Sequence, residues 1–357
     1  MGGEMSGDTG RPGTPGPMGI GVIGLGRVSP AHLEGYLALP GEARVVAVCD
    51  IDKRKTDAVA TGLGVPGFTD HTALLAHPGV DGVVILLPHL LHRPVVADAI
   101  AAGRHVTVEK PLAVSEAECR ELIDAARARG VVLSVSENSR FVESYLRVKE
   151  LLDSGRIGGV RLVRAFISGS AVAELADPDE AWKHQDFGFA AVLDAATHFF
   201  YVLRWMFEPV VSLQATTRHW SVDHGVPRTT VEDGAVVTGR FAGGGHFSVE
   251  IALNVEVPWG ERFEIYGEAG SVVCDQLTDP VATFYRDASD FGTALPGVST
   301  DPRGWRTASM RRGAADFVRA VRSGRSPAVT AEDAAYAVRL AEAAYRSVRD
   351  GGVPVSV

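Results

Sequence analysis

Cysteine is scarce in this chain: three in 357 residues, Cys49, Cys119 and Cys274, with no C-x-x-C pair among them. That spacing excludes a disulfide framework and a cysteine-built zinc site, and it suits a reducing compartment. Long apolar runs are missing too, since no stretch approaches the ~20 residues of a membrane span. The first 17 residues, rich in Gly, Pro, Ser and Thr, lack the apolar middle of a signal peptide and are expected to be a disordered tail. Nor is there an excess of positive charge: the net charge of −9 argues against nucleic acid or an anionic membrane as a partner. No internal repeat is visible. What remains is a globular composition, 46% hydrophobic and 22% charged, at a length that suits two domains, and a cytoplasmic location is expected.

Glycine is placed where it matters most between residues 21 and 33. Gly21-Val22-Ile23-Gly24-Leu25-Gly26-Arg27-Val28-Ser29-Pro30 reads as a buried strand, a tight turn and a helix start. Gly24 permits the turn, and Gly26 has no side chain to block a diphosphate. Ser29 is expected as the N-cap and Pro30 as the first helical residue, leaving helix N–H groups to attract an anion. A second apolar run, Arg44 to Cys49, ends in Asp50, 24 residues beyond Gly26. That is close to the ~20 expected for the acid that holds the adenosine ribose hydroxyls. Asp50 would repel a 2′-phosphate, so NAD is favoured over NADP. Lys53 and Arg54 keep NADP open, although both also read as solvated helix-start residues.

From residue 18 to 138, apolar strands alternate with helices: Met18–Ile23, Arg44–Cys49, Gly82–Leu87, His105–Val108 and Val131–Val135, with helices near 54–63, 94–102 and, behind the S-x-x-E capping box Ser115–Glu118, 116–129. Strands apolar throughout imply a parallel sheet covered on both faces, a Rossmann-type doubly wound α/β domain. Its ligand belongs at the carboxyl ends of the strands. Residues 139–357 follow a different grammar. After a helix at 143–152 and a long strand at 160–168 comes a helix near 190–206. Strands at 211–219, 235–241, 247–253, 262–266 and 271–274 follow, then helices at 310–322 and 331–348. A second α+β domain with a large open, mainly antiparallel sheet is the expected assembly, Gly243 to Gly245 marking a hairpin.

Two motifs carry chemistry. Glu109-Lys110-Pro111 follows directly on a strand, which puts the Lys110 amine where the nicotinamide half of a dinucleotide should lie, and the Lys110–Pro111 bond is a candidate for cis. Asp194-Ala195-Ala196-Thr197-His198 places a carboxylate and an imidazole at i and i+4, on one face of a helix. Such a pair can fix the tautomer of His198 and favour its charged form. Read singly, each motif also fits a surface lysine or a capped ion pair. His71, His77, His89 and His105 stand alone near element ends and read as structural. His219 and His224 lack a third ligand, so no metal is expected, and the basic run Arg303 to Arg312 reads as a solvated face.

Taken in order, G-x-G-x-x-S before His32, V-C-D at Asp50, P-x-x-x-H at Pro88 and His92, E-K-P at 109–111, N-x-R-F at Asn138 to Phe141, S-G-x-I-G at Ser154 to Gly158, and D-x-x-x-H at 194 and 198 resemble the Gfo/Idh/MocA oxidoreductases over residues 18–357. The resemblance implies an NAD(P)-binding domain followed by an α/β domain whose open sheet mediates homodimers or homotetramers. It implies catalysis by Lys110, Asp194 and His198, with Lys110 on the reacting hydroxyl, His198 taking its proton, and Asp194 binding a neighbouring hydroxyl or supporting the histidine. The turn Gly24, Leu25, Gly26, Arg27 and Val28, with Asp50, Leu87, Pro88, His92, Glu109, Lys110 and Asn138, would hold the cofactor. Lys110, Arg140, Lys183, Asp194 and His198 would face the substrate. Three positions depart from the family: Phe189 with Ala190 and Ala191 replaces a glycine run, Lys183 replaces arginine after Trp182, and Thr197 replaces glycine before the histidine.

The expected activity is hydride transfer between nicotinamide and a secondary alcohol or ketone of a sugar, cyclitol or sugar derivative. Three alternatives stay open at this point: a lyase or epimerase that oxidises transiently and keeps its NAD, a reductase of an unsaturated or imine substrate, and a non-catalytic regulator sensing NAD or a sugar.

Overall fold

The computed structural model describes residues 16–170, 177, 182–183, 187–188, 190–220, 231–298 and 304–357. Phe189, His224 and Arg303 lie outside these residues.

Six strands form the first sheet: β1 (Met18–Ile23), β2 (Ala43–Cys49), β3 (Gly67–Phe68), β4 (Gly82–Ile85), β5 (His105–Glu109) and β6 (Leu133–Ser136). They run parallel in the order β3-β2-β1-β4-β5-β6. The order reverses between β1 and β4, and a crevice opens there at the carboxyl edge. Helices α1 (Ser29–Leu37), α2 (Lys53–Leu63), α3 (His71–Leu75), α4 (His89–Ala101) and α5 (Glu116–Arg129) connect them. One half of the capping box forms as expected, Ser115 Oγ accepting from Glu118 N at 3.2 Å, while Glu118 reaches one residue past the N-cap to accept from Val114 N at 3.3 Å. A cap of this kind contributes about 1 kcal/mol.

Two expected helix starts are corrected. Val28, not Ser29, is the N-cap of α1, and no side chain caps it; Ser29 is the first helical residue and its hydroxyl donates to Gly26 O at 2.8 Å. Helix α4 begins at His89, five residues before Pro94, with Pro88 as its N-cap. Pro94 is tolerated inside because the carbonyl it leaves unpaired belongs to Leu90, on the exposed side of the helix.

The second sheet joins β7 (Val160–Ser168), β8 (Val210–Arg218), β9 (Gly234–Phe241), β10 (His246–Ala252), β11 (Gly260–Gly267), β12 (Ser271–Asp275), β13 (Ala282–Tyr285), β14 (Thr293–Ala294) and β15 (Val355–Ser356) in the order β14-β13-β12-β11-β7-β10-β9-β8-β15. Only β7 and β10 run parallel. Along β7, Val163, Ala165 and Ile167 point inward and are buried, whereas Leu162 and Phe166 face out at 37% exposure each. The inner face is covered by α7 (Thr197–Met206) and α9 (Ala331–Arg349), the latter capped by Thr330 Oγ1 on Asp333 N at 3.1 Å. Helix α6 (Glu143–Asp153) stands between the sheets in the chain. Among the described residues, no helix is long and apolar enough to cross a membrane.

One helix crosses from the second half to the first. In α8 (Gly304–Ser323), Ala314, Phe317 and Val318 pack with Met18, Ile20, Val22, Val45 and Tyr36 on the α1 side of the first sheet. Arg311 pairs with Glu34 of α1, Arg319 holds Glu42 at 2.8 Å, and Ser134 of β6 bridges Thr330 just beyond α8.

Candidate active site

Strands β1, β4, β5 and β6 all end at the same edge, and the residues that follow each of them build the site. After β1, Gly24 has φ +96°, a left-handed conformation that favours glycine. A Cβ there would also run into the Leu86 backbone carbonyl, and Leu87 Cδ2 lies alongside. Gly26 is different: a Cβ would meet nothing within 4 Å. That open space above an uncapped helix N-terminus has the shape and polarity for a diphosphate. Asp50 closes the far side, its Oδ2 accepting Leu25 N at 2.7 Å and its Oδ1 accepting Asp52 N at 2.8 Å. Lys53 and Arg54 turn to Asp57 and Asp52 on the exposed start of α2, as solvated helix-start residues do.

After β5, Glu109 is gripped by His32 Nε2 at 2.7 Å and accepts Lys110 N at 3.1 Å. Burial opposes its ionisation, but the hydrogen bond and charge of His32, helped by Lys110 and Arg306, outweigh it and hold the carboxyl at about 2. The Lys110–Pro111 peptide is cis. Lys110 Nζ forms a short ion pair with Asp194 Oδ1 and donates to the Asp194 carbonyl at 3.1 Å. His89 Nε2 lies 3.4 Å from the same carboxyl oxygen, while its Nδ1 meets Phe187 O at 2.6 Å. Burial again works against ionising Asp194, and Lys110 and His89 reverse it, holding the carboxyl far below the usual range. Lys183 is buried beside this group, its Nζ 5.5 Å from the Trp182 ring centre. Burial brings its amine down to about 8 against the pull of Asp194, and the charges of Arg27, Lys110 and Arg306 push the same way.

After β6 comes Glu137, 3% exposed in its side chain. Its Oε1 meets His198 Nδ1 at 2.8 Å and accepts Ser139 N at 3.0 Å. Burial alone would lower the His198 pKa; the charge and hydrogen bond of Glu137 win over it and over the repulsion of Lys110, so the ring is held above its ordinary value. Glu261 of β11 adds a further negative charge, with Tyr145 Oη donating to it at 2.8 Å.

Three expectations change here. The i, i+4 pairing of Asp194 with His198 does not form, because residues Ala191–Ala196 make a π-helical turn. Asp194 N and Ala195 N both donate to Ala190 O, at 2.9 and 3.2 Å, and the wider turn aims Asp194 at Lys110 and His89 while His198 goes to Glu137. Glu232 anchors this turn by accepting Val192 N at 3.0 Å, and the Thr197 hydroxyl donates to the Leu193 and Asp194 carbonyls at 2.9 Å each. His89, read as structural, belongs to the site. His92, expected to border the cofactor, is wholly buried, with Nδ1 2.7 Å from Pro111 O and Nε2 2.7 Å from Leu87 O. It ties the two backbone segments together from behind. Burial brings its ring down to about 4.

The remaining positions are placed as follows. Leu87 and Pro88 follow β4 at the crevice, and Arg27 is exposed beside Val28 at the start of α1. Asn138 donates to Ser309 Oγ of α8 at 3.3 Å. The Arg140 guanidinium stacks over the Trp205 ring of α7 at 4.1 Å. Sequence reasoning missed Glu137, Glu232 and Glu261. A glutamate at the end of an apolar strand was the available signal for the first.

Residues 18–137 match the model of an oxidoreductase family with an NAD-binding Rossmann fold, and residues 149–357 match the C-terminal alpha/beta domain of the same family. The chain belongs to the Gfo/Idh/MocA oxidoreductases. It is 29% identical to inositol 2-dehydrogenase 1 of Saccharopolyspora erythraea, covering 95% of this chain and 96% of that one. With inositol 2-dehydrogenase of Burkholderia cenocepacia the identity is 30%, over 94% and 95% of the two chains. The structure of GenD2 from gentamicin A biosynthesis, in complex with NAD, superposes with a TM-score of 0.82 at 28% identity, covering 98% and 99%. In a Gfo/Idh/MocA oxidoreductase of this architecture, the open Gly26 cradle and Asp50 fit NAD. Among the described residues, no cluster of His, Cys, Asp and Glu could hold a metal ion.

Proposed function

We propose that this oxidoreductase is a cytoplasmic NAD-dependent dehydrogenase of a secondary alcohol on a cyclitol, sugar or sugar derivative. The observation that carries the reading is the meeting of an amine from the end of β5 with an imidazole from α7 beside one crevice, each backed by a buried carboxylate. Lys110 donates to the reacting oxygen and favours its alkoxide character. His198 takes the hydroxyl proton on Nε2, the nitrogen that Glu137 leaves unused; general-base help of this kind is worth about 10²–10⁴-fold. Asp194, buried and charged, orients the Lys110 amine by ion pair and accepts from a neighbouring hydroxyl. NAD, when bound, supplies the acceptor for the hydride. The relatives named as inositol 2-dehydrogenases make cyclitols the first class to test.

The test is a panel of inositols, hexoses and nucleotide sugars, each with NAD and with NADP, followed by absorbance of the reduced nicotinamide. Net NADH formation with at least one cyclitol or sugar is expected, and NAD is preferred because of Asp50. Tight co-purifying NAD with no net reduction by any member would overturn the reading in favour of transient oxidation.

The outer face of the second sheet, where Leu162, Phe166 and Tyr266 surround the ion pairs of Arg164 and Arg262 with Glu264, is proposed as the seat of a second copy. Sedimentation should give a dimer or tetramer, and Phe166→Glu should shift it toward monomer. A wild-type monomer at micromolar concentration would end that proposal.

A further inference from the structure

His198 is held by a residue far from it in the chain. Glu137 Oε1 already accepts the backbone N–H of Ser139, so it acts as an acceptor, and the Nδ1 atom 2.8 Å away must be the donor of the second bond. Asp194 does not do this work: its Oδ1 pairs with Lys110 and His89, and it is Glu137 that meets His198 Nδ1. Nor does Glu261. Tyr145 Oη at 2.8 Å and Gln276 Nε2 at 3.4 Å hold it, and burial pushes its carboxyl up. We propose that Glu137 is the positioning residue of the proposed dehydrogenation, fixing His198 with its proton on Nδ1 so that Nε2 faces the substrate hydroxyl. This rests on the reading of His198 as the base.

The atoms balance simply. The substrate O–H bond breaks and its proton joins Nε2, while the hydride of the same carbon goes to oxidised nicotinamide. The imidazolium so formed keeps its Nδ1–H on Glu137, which offsets the new positive charge. Burial and three charged groups act on the ring: Glu137 beyond β6 and Glu261 on β11 raise its pKa, and Lys110 beyond β5 and burial lower it. Glu137 is the one in contact, and it raises the pKa. The sign follows: oxidation needs the neutral ring and speeds up as pH rises through that raised value, whereas reduction is served by the ring below it.

A direct measurement needs no substrate. In the full chain labelled with ¹⁵N-histidine, with NAD added and His198→Asn as the assignment control, the neutral His198 ring is expected to carry its proton on Nδ1. Glu137→Gln keeps the shape and the acceptor but removes the charge. Its His198 midpoint should fall by about one to three pH units, the usual effect of losing an adjacent opposite charge. Glu137→Asp, which keeps the charge, should return the midpoint toward that of the parent and serves if the Gln variant does not fold. A midpoint unmoved in Glu137→Gln, or a neutral ring protonated on Nε2, overturns the proposal. With a substrate from the panel, Glu137→Gln should lose about tenfold to a hundredfold in kcat at unchanged NAD affinity, the acidic limb of oxidation moving to lower pH. Full turnover by His198→Asn would instead remove the functional reading and leave the tautomer result standing.

Discussion

Lys110→Met should lower turnover by about three orders of magnitude while leaving NAD binding within a few-fold of the parent. The methylene stem is kept, so packing changes little, but the only atom of Lys110 paired with Asp194 is gone. Two losses are mixed in that result. One is the donor to the reacting oxygen. The other is the compensation of the buried Asp194 charge, which keeps His89 at 3.4 Å and the neighbouring Lys183; removing one partner of a buried pair destabilises by about 3–5 kcal/mol. The double variant Lys110→Met with Asp194→Asn separates them. Thermal unfolding should recover toward the parent, because no uncompensated charge remains, and turnover should stay low. Recovery of activity together with stability would mean that Lys110 acts through the fold and not on the substrate.

The two glycines of the first turn should fail in different ways. Gly24→Ala places a Cβ against the Leu86 carbonyl at φ +96°. The conformation alone costs about 1–2 kcal/mol, and the clash adds to it, so a lower unfolding temperature is expected along with weaker NAD binding. Gly26→Ala meets no atom within 4 Å. It should unfold like the parent and yet lose NAD affinity by at least about a hundredfold, some 2.7 kcal/mol, because the methyl stands where the diphosphate would approach. Calorimetric titration with NAD alongside thermal denaturation checks both. Gly26→Ala binding NAD normally would place the cofactor elsewhere and sink the assignment of the crevice.

Much of the nucleotide-binding half could be read from the chain because its rules are local. Apolar runs give the strands, Ser115 and Glu118 give a helix start, and the spacing from Gly26 to Asp50 gives the two strand ends that the Leu25–Asp50 hydrogen bond joins. Even the long strand Val160–Ser168 follows from its own residues. What escaped depended on contacts between distant segments or on departures from ideal geometry. The i, i+4 argument for Asp194 and His198 assumes an α-helix, and the two N–H groups sharing Ala190 O make a wider turn. Glu137 and His198 lie 61 positions apart, and no periodicity relates them. The short strand β13 and the edge strands β14 and β15 owe their existence to neighbours already in place. His89 looked solitary because its partner sits in the other half of the molecule.

The path of α8 sets a limit on how this protein can be dissected. Since Ala314, Phe317 and Val318 roof the side chains of Ile20, Val22 and Tyr36, a fragment ending before residue 304 would expose that apolar floor to water. The nucleotide-binding half is therefore not an excisable module. It is completed only when residues 304–323, far down the chain, have been synthesised and have come home.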